Sequence, residues 1–124
     1  MPNIRFYRCD VCDNIMVMLL KQGDHKTCCE QYMTILEPNT TDGTYEKHIP
    51  VISRDNGIIH VAVGATLHPM LPEHYIEIIT VDAGAKTEIA YLTPGMEPKA
   101  DFTDNGSGTV YEYCNVHGLW KFDF

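Results

Sequence analysis

The sequence predicts an all-β protein in two parts, a small cysteine-rich metal-binding domain followed by an immunoglobulin-like β-sandwich. Three observations carry that expectation. Four of the five cysteines, Cys9, Cys12, Cys28 and Cys29, lie near the start of the chain. The remainder alternates short apolar runs with turn-forming residues. No stretch shows the periodicity of a helix of any length.

Composition narrows the class. At 124 residues the chain forms one domain, or a small domain joined to a modest one. With 44% hydrophobic residues there is material for a compact core. The formal charge of -8, from 17 acidic against 9 basic residues, argues against nucleic acid as a partner. It also means that a small anionic substrate would need local positive charge to approach. No apolar run approaches bilayer length, so no membrane partner is expected. Met1-Pro2-Asn3-Ile4-Arg5 lacks the pattern of a signal peptide, and a cytoplasmic, reducing location is the expectation. Clustered cysteines there read as metal ligands rather than disulfides.

Residues 1–36 form the first expected domain. Cys9-Asp10-Val11-Cys12 is a CxxC turn, and Cys28-Cys29 supplies a second pair. Neighbouring side chains diverge, so the adjacent pair is expected to distort the tetrahedron. A segment this short buries too little surface to fold alone, and a bound ion would supply the difference. Four thiolates suit zinc, which would be structural, or a single iron, which could carry an electron. His25, between the pairs, reads as a surface residue.

Glu37-Pro38-Asn39-Thr40-Thr41-Asp42-Gly43-Thr44 is rich in turn formers and reads as a linker, with the second domain spanning 45–124. There Pro50 to Arg54 and Ile58 to Val63 flank Asp55-Asn56-Gly57, a hairpin signal because a type I′ turn needs positive φ at both central residues. Further strands are expected at Tyr75 to Val81, Lys86 to Leu92, Lys99 to Thr103, Tyr111 to Cys114 and Leu119 to Phe122. About seven short strands at this spacing indicate a sandwich.

The histidines supply a second cluster. His68 and His74 bracket Pro69-Met70-Leu71-Pro72-Glu73, a rigid loop that cannot continue a strand. Cys114-Asn115-Val116-His117-Gly118 joins two strands, and His48 follows Glu46-Lys47 after the linker. Four imidazoles and one thiolate are too many donors for a closed tetrahedral zinc site. With the imidazoles near a plane and the thiolate axial, one position stays open, which favours a redox-active iron binding a small oxygen species. His60 alternates with Ile59 and Val61, so it points to the opposite face and reads as a non-ligand.

Taken together, CxxC with a later CC, Glu46-Lys47-His48-Ile49-Pro50, His68-Pro69-Met70 with a second histidine, and Cys114-Asn115-Val116-His117-Gly118-Leu119-Trp120 make the chain resemble the desulfoferrodoxins, two-iron superoxide reductases. The resemblance covers essentially the whole chain. It implies a desulforedoxin-like domain holding one iron on Cys9, Cys12, Cys28 and Cys29. It implies a neelaredoxin-like sandwich holding the other, with His48, His68, His74 and His117 equatorial and Cys114 axial. The implied activity is reduction of superoxide to hydrogen peroxide without oxygen production. Glu46 would bind the ferric ion in the resting state, and Lys47 would attract superoxide and help protonate the product. A rubredoxin-like electron donor and a homodimer are implied as well. One departure is Tyr75-Ile76-Glu77-Ile78, where such proteins often carry tryptophan beside the site. The rival reading is a non-catalytic iron electron-transfer or redox-sensing protein. Such a carrier needs neither an open coordination position nor a neighbouring lysine, so the sequence favours the enzyme.

Overall fold

The computed structural model describes residues 4–19, 26–40 and 48–124, and its chain divides into two compact units, Met1–Glu37 and Pro38–Phe124. The first unit's described residues form short strands: β1 (Arg5–Arg8), β2 (Ile15–Met18), β3 (Thr27–Cys28), β4 (Gln31–Tyr32) and β5 (Thr34–Ile35). β1 runs antiparallel to both β2 and β5, while β3 and β4 make a separate hairpin. Successive strand residues face opposite sides. Phe6 and Tyr7 are both fully buried, so β1 is covered on both faces. The core cluster joins Tyr7, Met18 and Met33 to Cys9. A candidate ligand is thus part of the unit's own core.

The second unit is the expected sandwich. β6 (Pro50–Asp55), β7 (Ile58–Val63) and β10 (Lys99–Thr103) form a 3-stranded sheet in the order β10-β7-β6. β8 (Ile76–Asp82), β9 (Thr87–Tyr91), β11 (Thr109–Cys114) and β12 (Gly118–Asp123) form a 4-stranded sheet in the order β12-β11-β8-β9. Every pairing is antiparallel. The Asn56-Gly57 turn has φ of 47° and 76°, the type I′ geometry, and pairs Asp55 with Ile58. Ile59, Val61 and Val63 of β7 face Ile79, Val81 and Val110 of the other sheet within one buried cluster. Fully burying one such side chain contributes about 1.5–3 kcal/mol, and these side chains hold the sheets together.

Some ends differ from the sequence expectation. β11 and β12 run outward to Thr109 and Asp123, where Thr109 Oγ1 donates to Asp123 Oδ1 at 2.7 Å. Asn39, inside the expected linker, pairs with Trp120 in a parallel bridge. Its N–H donates to Leu119 O at 2.8 Å, and Lys121 N–H donates to Asn39 O at 3.0 Å. A single bridging residue has no periodicity, which is why the sequence does not announce it. No helix among the described residues is long and apolar enough to cross a membrane.

His60 faces outward from β7 and lies opposite Asp101 of β10. Its Nε2 is 2.7 Å from Asp55 Oδ1 and its Nδ1 is 2.7 Å from Asp101 Oδ1. Hydrogen bonds to Asp55 and then Asp101 raise its pKa above the ordinary 6.5. Protonated His60 therefore links three neighbouring strands. This contribution to stability is fully present below pH 6.5 and is lost as pH rises through the raised value. Unfolding followed across that range should show stability falling in the parent protein, with the fall reduced in His60→Gln. An identical pH profile in the two proteins would remove the clamp.

Candidate metal centres

The four sulfurs of Cys9, Cys12, Cys28 and Cys29 all lie within 4.8 Å of one another. Cys12 Sγ to Cys28 Sγ is 3.7 Å, and Cys28 Sγ to Cys29 Sγ is 3.9 Å. A tetrahedral ion with metal–sulfur bonds of about 2.3 Å spaces its sulfurs by about 3.8 Å. The donor set fits such an ion. The adjacent cysteines converge rather than diverge, and the backbone explains it. Cys28 ends β3, while Cys29 and Glu30 are the central residues of the hairpin turn, with φ of 50° and 63°. Left-handed backbone at Cys29 swings its side chain back toward Cys28.

The CxxC loop uses the same device. Asp13 has φ of 61°, and its N–H donates to Cys9 O at 2.9 Å. Each such non-glycine residue costs about 1–2 kcal/mol, so strain collects around the sulfurs. Thr34 Oγ1 donates to Asp10 Oδ2 at 2.6 Å and steadies the loop. That bond and Arg8 hold the Asp10 carboxyl below its usual range.

Protonation shows why the cluster suits a cation. The Cys12 backbone N–H draws the Cys9 thiol down to about 7. The neighbouring Cys12, Cys9 and Cys28 push Cys29 up to about 12. One thiolate forms readily, and the later charges crowd against it. A central cation removes that repulsion.

In the second unit the donor atoms of His48, His68, Cys114 and His117 also lie within 4.8 Å of one another. The four imidazoles form a closed ring. Centroid separations run 4.7 Å from His48 to His68, 4.9 Å from His68 to His74, 5.2 Å from His74 to His117 and 5.2 Å from His117 to His48. Cys114 Sγ lies 3.6 Å from His68 Nε2 and 4.0 Å from His117 Nδ1. His68 Nε2 is 3.1 Å from His48 Nε2, close to the spacing of about 3 Å for nitrogens at right angles around an ion bound at about 2.1 Å.

Local structure explains these positions. His68 Nδ1–H donates to Pro69 O at 2.8 Å, since a carbonyl can only accept. The Nε2 lone pair is thereby left facing the ring's centre. Leu71 and His74 exchange backbone hydrogen bonds at 2.9 and 3.0 Å across Pro72-Glu73. The β8–β11 ladder shifts register between Tyr113 and Cys114, a bulge that re-aims the Cys114 side chain. Gly118, with φ of 86°, then turns the chain so that His117 folds back over Cys114. His117 N–H donates to Cys114 Sγ at 3.4 Å.

Several supporting residues were not singled out by the sequence. Asn115 Oδ1 accepts from Tyr75 N–H at 2.8 Å and its Nδ2 donates to Glu73 O at 3.1 Å. It ties the His74 loop to the Cys114 turn. Asn14 Nδ2 donates to Cys28 Sγ at 3.9 Å, and Trp120 stacks on His48. Asn115 and Trp120 sit inside the motif that runs from Cys114 to Trp120, which is the available signal. Glu46, Lys47 and His25 lie outside the described residues.

Fold and donor sets together define a small all-β metalloprotein with a thiolate centre in one unit and an imidazole–thiolate centre in the other. Residues 40–123 match the family model for desulfoferrodoxin. The chain is 46% identical over 108 residues to desulfoferrodoxin of Clostridium acetobutylicum, covering 87% of this chain and 86% of that one. It is 42% identical over 121 residues to a desulfoferrodoxin homolog of Archaeoglobus fulgidus, covering 95% of each. Among solved structures, the superoxide reductase from Treponema pallidum aligns with a TM-score of 0.83 at 25% identity, covering 98% of this chain and 99% of that one. The chain belongs to the desulfoferrodoxin family. Both donor sets fit iron, one ion each.

The Asn14 bond yields a test. An N–H···S bond favours the state with more charge on sulfur. Asn14→Ala should therefore lower the reduction potential of iron on the four cysteines, read by a spectroscopic redox titration. An unchanged potential would mean that the amide has no electronic role.

Proposed function

We propose that this chain is a superoxide reductase, adding one electron and two protons to superoxide to give hydrogen peroxide without producing oxygen. The observation that carries the reading is the closed ring of four imidazoles against one buried thiolate. Iron bound there supplies single electrons to a small oxygen species. His48, His68, His74 and His117 would hold it by imidazole nitrogens and Cys114 by sulfur.

The chain's own residues shape that chemistry. Cys114 is fully buried within the hydrophobic cluster, so water does not weaken its donation. The His117 N–H bond tempers the sulfur's charge. The Pro69 carbonyl fixes the His68 tautomer. From the sequence we assign Lys47 to the approach of the anion, against the net charge of -8. Glu46 is assigned as a ligand of the oxidised ion on the family resemblance. The four-cysteine set would hold the second iron.

We further read the electron donor as a small rubredoxin-like protein, the assembly as a homodimer and the location as cytoplasmic, on the family resemblance. Exposed Leu67, Leu71 and Val116, each in a segment that carries a candidate ligand, support donor docking.

Rapid mixing of the pre-reduced protein with superoxide tests the activity. Hydrogen peroxide equimolar with the superoxide consumed, and no oxygen beyond spontaneous dismutation, is expected. Catalysed oxygen release would make the protein a dismutase instead. Lys47→Ala should slow the second-order reaction about tenfold at low salt while iron is retained. An undiminished rate constant would take Lys47 out of the approach.

A further inference from the structure

We propose that Trp120 is a positioning residue for the iron of the second unit, its indole fixing the ring plane of His48. The inference rests on the reading of His48 as a ligand. Trp120 is the sole tryptophan in the chain. Its ring lies 4.3 Å from that of His48 with an interplanar angle of 5°, a parallel stack. The contacts of His48 with two other rings are of a different kind, tilted by 57° against His68 and 79° against His117.

The type of contact matters. A hydrogen bond to an imidazole occupies a ring nitrogen. A parallel stack touches only the face, restricting rotation of the ring while both nitrogens stay available at its edge. At a ligand whose Nε2 lies 3.1 Å from that of His68, rotation of the ring would carry the nitrogen away from the centre. Both stacked rings are buried, His48 at 2% and Trp120 at 7% exposure, so water does not compete for the face. The indole Nε1 has no hydrogen-bond partner among the described residues, so the indole acts here through its face.

The backbone of Trp120 is itself secured. It pairs with Glu112 across the β11–β12 ladder. On its other side Asn39 bonds to Leu119 O and accepts from Lys121 N–H. Asn39 is hydrogen-bonded to both chain neighbours of Trp120, and His48 stacks on the Trp120 ring. Strand β12 thus contacts a residue on either side of positions 41–47, Asn39 through Leu119 and Lys121 and His48 through Trp120. That makes Trp120 the reference point from which His48 is placed.

Two substitutions of the full-length, iron-loaded protein separate positioning from simple bulk. Trp120→Leu keeps an apolar side chain and removes the stack, while Trp120→Phe keeps an aromatic face. Loss of a supporting partner typically weakens metal binding by about 10–100-fold. Transfer of iron from the histidine site to a chelator should be favoured by that factor in Trp120→Leu, with a shifted thiolate-to-iron charge-transfer band. Trp120→Phe should restore both toward the parent values, and iron on the four cysteines should be unaffected in either. A folded Trp120→Leu with parental affinity and spectrum would overturn the proposal. So would a Trp120→Phe as impaired as Trp120→Leu. Should Trp120→Leu fail to fold, Trp120→Met takes its place with the same outcomes. If the parent protein holds no iron on its histidines, the reading of the site fails; if it does and the variants match it, only the role of Trp120 fails.

Discussion

Cys9 and Cys114 are each a candidate ligand and a member of a hydrophobic core, and much of the structure follows from that double membership. In both units electron-rich donor atoms are held within 4.8 Å of one another. Such crowding is unfavourable while the donors are charged and nothing lies between them. Hydrogen bonding with the neighbouring Cys12, Cys9 and Cys28 pushes the Cys29 thiol up to about 12, so it keeps its proton while they carry charge. A cation at each centre turns the repulsion into attraction, and it does so where the core is packed. Ligation and packing therefore reinforce each other, which a unit as small as the first one requires.

The two units reach crowded donors by different backbone means. The first uses left-handed residues that are not glycine, at Asp13, Cys29 and Glu30, all beside the sulfurs. The second uses a regular sandwich with local irregularities beside the donors. There a register shift re-aims Cys114, a glycine turn folds His117 back, and Asn115 ties both to the His74 loop. The sheets supply rigidity, and the departures from regularity supply the site. Irregular backbone at a functional site is how a fold with many uses acquires a particular chemistry.

Much of this was legible in the chain beforehand, for identifiable reasons. The Asn56-Gly57 hairpin follows from local turn chemistry, and the strand alternation around Ile59, Val61 and Val63 follows from period-two patterning. The cysteine and histidine clusters stood out because metal ligation needs those residue types at short spacing. The expected divergence at Cys28-Cys29 did not materialise, because the conformation of Cys29 depends on a hairpin too short to show a pattern. The short strands of the first unit were invisible for the same reason. Asn39, Asn115 and Trp120 act through contacts distant in sequence, as with Asn39 against Trp120, and spacing rules cannot report these.

The central claim is that two donor sets of different chemistry each hold one iron. Iron and zinc content per chain, measured on protein purified without oxygen, tests it most directly. The account predicts two irons, one with an all-sulfur environment and one with a nitrogen-rich environment by X-ray absorption. Protein with a full four-cysteine site and no iron on its histidines would contradict it.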